Sequence, residues 1–348
     1  MTAIAEPCLW MPPEWHPHQR TLMAWPQAHS WGEGWQRAET AFATVANALS
    51  EFEPVLMLVP AAREAVCRQL LGGDVQLLSL AYDDAWARDS GPTFVFDAHA
   101  RQHALSWNFN GWGDRFRPWQ QDRELAAQLA AQLDVPLLRS DLVLEGGAVH
   151  VDGAGALLVT AQSLFDQRRN PGRDHDELLR ALQRLTGADR IILLPAGLSC
   201  DHTHGHVDEL ACFAAAGRVL LHMPDTADAD AGICRQADRL LQAQEMDIVH
   251  LPAPQPRQLS DGERLTLSYV NFYVANDVVL VPAFDQPAVD ADAAAIIAEQ
   301  FPGRRVVSCP ALPIAAGGGG IHCITQQQPA AIADDRMPAA NRAGDTGA

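Results

Sequence analysis

The stretch that organises the chain lies near its C-terminal end and reads Gly317-Gly318-Gly319-Gly320-Ile321-His322-Cys323-Ile324-Thr325-Gln326. Four consecutive glycines interrupt any regular element, and the apolar residues after them predict a short strand that carries one thiol. Glycine has no Cβ, so backbone groups of this run, including Gly320, can approach a bound substrate closely. The stretch predicts either a nucleophilic Cys323 presented at the tip of a strand or a mobile loop beside a buried cysteine.

Outward from this stretch, a helical pattern followed by a short apolar strand recurs five times. The five segments are 61–80, 121–138, 174–194, 232–251 and 290–309. Their starts lie 60, 53, 58 and 58 residues apart. A closed ring of sheet-and-helix units would produce this period, and so would the loose alternation of any α/β protein. A chemically varied polar segment follows each pair, which predicts that equivalent ends of five units converge on one axis.

The two ends of the chain have a different character. Residues up to Pro26 are rich in Pro, Trp and His and predict an irregular segment, followed by a helix over 32–53 and a strand over 54–59. The end of the chain is rich in Ala, Asp and Pro without periodicity. We therefore expect a single domain over 1–328 and a disordered tail over 329–348.

Composition narrows the class of protein. With 348 residues, 48% of them hydrophobic, the chain can bury a large core. A net charge of −18 argues against a nucleic-acid partner and is compatible with a cationic substrate. Seven cysteines without a CxxC pair are typical of a reducing compartment. The sequence shows no export signal and no run of about 18 apolar residues, so we expect a cytoplasmic protein without a membrane partner.

The segment Asp201-His-Thr-His-Gly-His-Val-Asp208 is the densest cluster of titratable groups. If it is a strand, His206 and Asp208 project from the same face, as an imidazole and a carboxylate do in general acid/base catalysis. The same spacing would let His202, His204, His206 and Asp208 bind zinc. From the residues alone, acid/base chemistry, a metal site and solvated histidines all remain open.

Two other segments of the chain contribute carboxylates that are candidate site residues. Asp89 lies in a polar stretch around Trp86, where carboxylates and an indole would hold a cation with an apolar stem. Arg88 could instead pair with an aspartate as a structural bridge. Glu145 ends a predicted strand before two glycines, as a surface residue or a functional one. A guanidinium fits this set, because two carboxylates can grip its N–H groups while Cys323 attacks its carbon.

These motifs together resemble the agmatine deiminases of the Porphyromonas-type peptidyl-arginine deiminase family, within the guanidine-modifying pentein superfamily. The resemblance covers nearly the whole chain. Its motifs are Met11-Pro-Pro-Glu-Trp-His-Pro-His, Trp86-Ala-Arg-Asp-Ser-Gly-Pro-Thr, Leu144-Glu-Gly-Gly, Arg169-Asn-Pro-Gly, Gly205-His-Val-Asp, Ser268-Tyr-Val-Asn-Phe-Tyr and Gly317-Gly-Gly-Gly-Ile-His-Cys-Ile-Thr-Gln-Gln-Gln-Pro. The resemblance implies an α/β fold, a five-bladed propeller with pseudo-fivefold symmetry.

The resemblance also implies an activity and residue roles. The activity is hydrolysis of a small guanidine, agmatine first of all, to N-carbamoylputrescine and ammonia, without metal or other cofactor and within polyamine metabolism. The implied roles are nucleophile for Cys323, acid/base for His206, guanidinium-binding carboxylates for Asp89 and Asp208, orientation of His206 for Glu145, and a substrate wall for Trp86.

The chain departs from the usual residues of this family at five positions, which we expect near the pocket but outside the nucleophile machinery. They are Leu22, Ala148, His202, His204 and Glu209. The alternatives are a peptidyl-arginine deiminase or a deiminase of another guanidine by the same mechanism, a metal-dependent hydrolase, and a non-catalytic binder of cationic amines. The sequence is compatible with a homo-oligomer.

Overall fold

A computed structural model describes residues 9–259 and 262–332 of the chain. The strands of these residues are β1 (His18–Ala24), β2 (Val55–Val59), β3 (Val75–Ser79), β4 (Thr93–Phe96), β5 (Gln102–Ser106), β6 (Leu137–Arg139), β7 (Val149–Val151), β8 (Ala156–Thr160), β9 (Arg190–Leu194), β10 (Ala211–Ala215), β11 (Arg218–Met223), β12 (Asp247–Pro252), β13 (Tyr273–Ala275), β14 (Val278–Ala283), β15 (Arg305–Pro310) and β16 (Thr325–Pro329). The α-helices are α1 (Ala28–Trp31), α2 (Trp35–Ser50), α3 (Glu64–Leu70), α4 (Ala87–Ser90), α5 (Gly111–Asp114), α6 (Gln120–Gln132), α7 (Ala161–Leu164), α8 (His175–Thr186), α9 (Ala231–Ala243), α10 (Pro287–Gln300) and α11 (Leu312–Ala315). The 3-10 helices are Gly32–Gly34, Ala61–Arg63, Gly146–Ala148 and Val207–Glu209.

Four units of the fold share one order of elements. In each, two antiparallel strands are followed by a helix and then by a third strand that runs parallel to the second. The units are β4-β5-α6-β6, β7-β8-α8-β9, β10-β11-α9-β12 and β13-β14-α10-β15. A helix between two parallel strands is the usual crossover connection, because parallel neighbours cannot be joined by a tight turn.

The fifth unit is built from both ends of the chain. Strand β16 pairs antiparallel with β1, so that Gln326 lies opposite Leu22, and β1 pairs in parallel with β2 across helix α2. Strand β3 then extends this sheet. The pairing of β16 with β1 closes the set of five α/β units, and the predicted α/β fold of five pseudo-equivalent units is confirmed.

Two details of the sequence prediction are wrong. The predicted first unit, 61–80, is α3 with β3, an addition to the sheet, and the equivalent pair is α2 with β2. The segment before Pro26 is not irregular throughout, because it contains β1. Both partners of β1 are distant in sequence, so no local hairpin signal marks it.

Local sequence explains how a typical helix is placed. Helix α8 begins after Asp174, whose side chain accepts hydrogen bonds from two backbone N–H groups, and ends at Gly187 with a φ of 72°. Its buried residues Leu178, Ala181 and Leu182 are spaced three and four apart, so they share one face against the sheet. Within the described ranges, no helix is long and apolar enough to cross a membrane.

The position of the polar segments follows from this repeat. In each unit a tight turn or short helix precedes the first antiparallel strand: α4 before β4, 146–148 before β7, 207–209 before β10, 268–271 before β13 and 321–324 before β16. These segments contact one another. The N–H of Gly147 donates to Asp89, the N–H of Arg88 donates to the carbonyl of Cys323, and the Cys323 sulfur contacts Asn271 and Asp208. The five segments therefore meet, as the sequence predicted. Most of the expected disordered tail, 333–348, lies outside the described residues, and its state stays a prediction.

Candidate active site

Cys323 lies in the turn 321–324 ahead of β16 and is 5% exposed. The strand predicted over this stretch is wrong, because a short apolar run in a buried turn has the same composition as a short strand. The Cys323 Sγ lies 3.3 Å from Nδ2 of Asn271, 3.6 Å from Oδ2 of Asp208 and 3.8 Å from Oε1 of Glu209. The thiol is therefore surrounded by carboxyl groups and one amide.

This environment keeps Cys323 protonated. Burial raises the pKa of the Cys323 thiol well above its ordinary value, and Asp208 and Glu209 raise it further because they disfavour a second negative charge. The N–H of Gly320 acts in the opposite direction, more weakly. A bound cation would be needed to favour the thiolate.

His206 occupies the N-cap of the 3-10 helix 207–209, so the strand predicted for the His-Val-Asp segment is wrong. Its Nε2 lies 3.0 Å from Oε2 of Glu145. Its Nδ1 lies 3.8 Å from Oδ2 of Asp89 and 3.9 Å from Oδ1 of Asp208. Burial alone lowers the pKa of His206, but the carboxylates outweigh burial and raise this pKa to about 9. The imidazole is thus a proton donor at neutral pH.

Glu145 is fully buried and held from its other side by Arg169. The Nε of Arg169 donates to both carboxylate oxygens, at 2.9 and 3.0 Å, and its Nη2 donates to the carbonyl of Thr203. Burial raises the pKa of Glu145, but the Arg169 charge and the contacts with His206 outweigh it and keep this pKa below its ordinary value. Glu145 is therefore an ionised partner that fixes the orientation of His206.

Asp89 lies in α4 and accepts hydrogen bonds from neutral donors. They are Nε1 of Trp112, 2.9 Å from Oδ2, and the N–H of Gly147, 3.0 Å from Oδ1. Burial raises the pKa of Asp89 to about 6, and the nearby His206 only partly offsets this effect. The carboxylate is thus ionised only above mildly acidic pH.

Asp208 faces a different set of neighbours. Its Oδ2 lies 2.8 Å from Nδ1 of His322, whereas its Oδ1 is buried without a hydrogen-bond partner among the described residues. Burial raises the pKa of Asp208, but His322, followed by His206, lowers it below the ordinary value. Asp208 therefore presents an ionised, unpaired oxygen beside the thiol and the imidazole.

A pocket of about 370 Å³ borders Cys323, Asp89 and Trp86. The Trp86 ring is stabilised by Nε1 donating to Asp84 at 3.1 Å and by Trp31, whose ring centroid is 5.3 Å away. Ligand pockets in proteins have volumes of roughly 300–1,000 Å³. The pocket is therefore large enough for a small-molecule substrate.

The glycine run forms one wall of this pocket through Gly317, Gly318 and Gly319. A Cβ on Gly319 would lie 3.1 Å from the Cys323 sulfur and 2.7 Å from the Trp86 ring. A Cβ on Gly320 would lie 2.3 Å from Oδ1 of Asn271. Gly320 packs against Asn271 and is not among the residues that line the pocket, so its predicted contact with substrate stays a prediction.

The three histidines of the HxHxHxD stretch have different partners. His202 Nε2 lies 3.0 Å from Glu263, His204 Nδ1 lies 3.0 Å from Asp166, and His206 faces Glu145. Their rings therefore do not converge on one point, because the stretch is a turn with His204 at a φ of 67° and not a strand. The arrangement does not fit the alternative of a zinc site on these residues.

The five departures from the usual family residues occupy four environments. Leu22 and Ala148 belong to the hydrophobic core, His204 is partly exposed, and His202 lines the pocket. Glu209 lies next to the sulfur of Cys323, so the expectation that all five stay outside the nucleophile machinery is wrong for this residue. Burial, followed by Asp208, raises the pKa of Glu209 well above its ordinary value.

Sequence reasoning assigned no role to three residues that contact the site. Asn271 contacts the thiol, Trp112 donates to Asp89, and Arg169 holds Glu145. Asn271 and Arg169 do lie in motifs that carry the resemblance, so their presence there was a usable signal. Trp112 lies in a left-handed turn with a φ of 54°, which local sequence patterns did not indicate.

The fold is that of the pentein enzymes. The solved structure described as agmatine deiminase of Enterococcus faecalis matches with a TM-score of 0.88 at 29% identity, over 94% of this chain and 98% of that chain. The agmatine deiminase of Ectopseudomonas mendocina is 38% identical over 92% of this chain and 95% of its own length. The putative agmatine deiminase of Streptomyces coelicolor is 42% identical over 92% of this chain and 98% of its own length.

A match to a family model identifies the family of this chain. The profile of the family described as Porphyromonas-type peptidyl-arginine deiminase matches residues 10–329. The chain belongs to this family.

Proposed function

We propose that the protein hydrolyses agmatine to N-carbamoylputrescine and ammonia through a covalent intermediate on Cys323. The observation that carries this proposal is the convergence of one buried thiol, one imidazolium and two carboxylates beside a small pocket. The names of the relatives support the same reaction. Asp89 and Asp208 would grip the planar guanidinium through its N–H groups.

The first half of the reaction forms the intermediate. Binding of the substrate cation favours loss of the thiol proton to solvent, and the Cys323 thiolate attacks the guanidinium carbon to give a neutral tetrahedral adduct. His206, protonated at rest, donates its proton to one –NH₂ group. Ammonia leaves with the electrons of its C–N bond, and the product is an S-alkylthiouronium cation on Cys323.

The second half hydrolyses the intermediate. Neutral His206 takes a proton from water while the oxygen attacks the thiouronium carbon. The new adduct collapses to the ureido product, expels the Cys323 thiolate and releases the hydroxyl proton. Two protons have now been released, one from the thiol at binding and one from the hydroxyl group. One returns to the thiolate and the other to ammonia, so the cycle ends with the protonated cysteine and an ammonium ion. Glu145 would keep His206 oriented in both halves.

The rest of the pocket favours an ammonium at the distal end of the substrate. Asp84 and Glu263 bring carboxyl groups to its lining, and so does Asp122, although burial raises the pKa of Asp122 to about 8. Among the described residues of this lining the one guanidinium, that of Arg117, is paired with Asp114. Agmatine ends in an ammonium, whereas free arginine carries a carboxylate at that end, which this lining would repel. A peptidyl-arginine would in addition need room for its chain.

We assign the reaction to putrescine and polyamine biosynthesis, because hydrolytic removal of the carbamoyl group from N-carbamoylputrescine leaves putrescine. We also propose a cytoplasmic enzyme, since this pathway starts from a small soluble cation.

Ammonia release from agmatine, arginine, a peptide with C-terminal arginine and a shorter guanidino acid tests the proposal. We expect turnover of agmatine above all others. Cys323→Ser should bind agmatine in calorimetry without turnover, because Asp89 and Asp208 remain. Near-normal turnover by this variant would refute the nucleophile, and the absence of ammonia from agmatine with wild-type protein would refute the function.

A further inference from the structure

Two buried groups next to the site take no part in the reaction described above. They are Glu14, in the N-terminal segment, and His322, the neighbour of the nucleophile in the chain. The His322 Nδ1 lies 2.8 Å from Oδ2 of Asp208, and its Nε2 lies 2.5 Å from Oε1 of Glu14. His322 is 3% exposed, and neither residue lines the pocket.

The N-terminal segment is anchored so that Glu14 reaches this position. The backbone of Trp10 exchanges two hydrogen bonds of 2.8 Å with Phe96, and the N–H of Met11 donates to Thr186 at 2.9 Å. Trp10 Nε1 donates to the carbonyl of Gly153. These bonds fix the segment to two different units, and Glu14 follows four residues after the first of them.

The geometry requires a charged imidazole at His322. Each ring nitrogen faces a carboxylate, and a neutral imidazole has only one N–H to donate, so its other lone pair would point at a carboxylate oxygen. Burial lowers the pKa of His322, but Glu14 and Asp208 outweigh it and raise this pKa above its ordinary value. Glu14 is in turn held ionised by His322 and by Arg88, whose Nη1 lies 3.2 Å away. Charges therefore alternate along Arg88, Glu14, His322 and Asp208.

The two carboxylates of the site provide an internal comparison. His206 Nδ1 is almost equally distant from Asp89 and Asp208, so it does not distinguish them. Asp89 accepts from neutral donors and has a pKa of about 6, whereas Asp208 accepts from His322 and has a pKa below its ordinary value. The contact with His322 is the largest effect that lowers the pKa of Asp208, and Arg88 adds a smaller one.

We propose that Glu14 and His322 are positioning residues: Glu14 keeps His322 doubly protonated, and His322 holds Asp208 ionised with its free oxygen directed at the guanidinium. The inference deepens the proposed function and rests on it, because it assigns Asp208 to the substrate. It also gives the N-terminal Met11-Pro-Pro-Glu segment a part in catalysis without contact with the substrate.

Other charged and titratable groups face the series Arg88, Glu14, His322 and Asp208, and they must be held constant when the proposal is tested. Those around His322 and Glu14 are Arg88, His150, Cys212 and Tyr273, with Nε2 of His150 lying 3.5 Å from Glu14. Those around Asp208 are Asp89, His206, Arg88, Glu209, Cys323 and Cys212. None of them is changed in the variants below.

The test compares His322→Asn, Glu14→Gln and the double variant with wild type across pH 5 to 9. Asparagine can still donate to Asp208 but carries no charge. In wild type the acid limb of kcat/KM for agmatine belongs to Asp89. In His322→Asn we expect Asp208 to titrate in the same range as Asp89, so this limb should become steeper and begin at higher pH, because loss of an adjacent opposite charge raises the pKa of a carboxyl by about 1–3 units. KM at neutral pH should rise more than kcat falls. The double variant should resemble His322→Asn, since Glu14 acts through His322.

A substrate-independent measurement separates this inference from the function. The chain has 13 histidines, and the ring ¹⁵N signals of His322 are those lost in His322→Asn. In wild type, both nitrogens should remain protonated above the pH at which an ordinary histidine titrates, and in Glu14→Gln the titration should move to lower pH. This result is obtained whether or not agmatine is turned over. If His322→Asn does not fold, the His322 signals are assigned with His322→Gln instead.

Glu53→Gln is the matched control, because Glu53 is a buried carboxylate paired with His18 at 3.2 Å, outside the site. It should lower thermal stability and leave the acid limb unchanged. The inference is overturned if His322 titrates near its ordinary pKa in wild type, if the acid limb of His322→Asn coincides with that of wild type, or if the two single variants combine additively. Failure of wild type to release ammonia from agmatine, with His322 doubly protonated, would instead overturn the function alone.

Discussion

Gly147 is the position where a single methyl group should do most damage to the site. A Cβ at Gly147 would lie 2.8 Å from Oδ2 of Asp208, 2.8 Å from Nδ1 of His206 and 2.9 Å from Oδ1 of Asp89. The φ of Gly147 is not in the left-handed region, so alanine is compatible with the backbone. The perturbation Gly147→Ala therefore acts on three functional side chains and not on the main chain.

The size of the effect follows from these distances. Ordinary van der Waals contact begins at 3.4 Å, so each of the three groups must retreat by roughly half an ångström. Misplacement of reacting groups by about 1 Å can cost about 100-fold in rate. Because three groups move together, we expect a loss of about 100-fold or more in kcat/KM, equivalent to about 2.7 kcal/mol of transition-state stabilisation.

The assay is steady-state ammonia release from agmatine, with thermal unfolding measured in parallel. Gly73→Ala is the matched control, since a Cβ there has no atom within 4 Å and the residue is exposed. We expect Gly73→Ala to retain wild-type kinetics. If Gly147→Ala keeps kcat/KM within threefold of wild type, the convergence of Asp89, His206 and Asp208 on one substrate position is refuted.

Other predictions concern pH, one hydrogen bond and metal. The kcat/KM profile should be bell-shaped. It should fall as pH drops through about 6, where Asp89 gains a proton, and fall above about 9, where His206 loses one. A flat profile from pH 5 to 8 would contradict the role of Asp89. Trp112→Phe removes the N–H donor to Asp89, so the acid limb of kcat/KM should move to higher pH and KM should rise. Steady-state kinetics at several pH values measure both. An unchanged acid limb would mean that this hydrogen bond is not maintained in solution. Agmatine turnover should be insensitive to EDTA, whereas activity lost with chelator and restored by zinc would require a metal mechanism.

The chemistry-bearing residues were predictable from local sequence for an identifiable reason. In a repeat of this kind, the functional segment always precedes the first strand of a unit, and a polar turn before an apolar strand is visible without knowing the fold. Cys323 after four glycines, Asp89 before Gly-Pro and Glu145 before two glycines all have this form. The family resemblance then assigned their roles.

Errors arose where conformation depended on distant partners. The segments around His206 and Cys323 were predicted as strands, but both are tight turns whose apolar residues are buried by neighbouring units. Strand β1 was missed because its partners, β2 and β16, lie in separate parts of the chain. Short apolar segments do not distinguish strand from buried turn, since burial and not periodicity determines their composition.

The sequence by itself determined the fold class, the family and the set of groups available for chemistry, because each of these depends on local patterns and on their recurrence along the chain. The tertiary structure alone decided the charge of those groups. Asp89 and Asp208 are the same residue type, but one accepts from neutral donors and the other from His322, which is paired in turn with Glu14 from the opposite end of the chain. A pKa depends on burial and on charges within a few ångströms, and those distances exist only after the five units have closed.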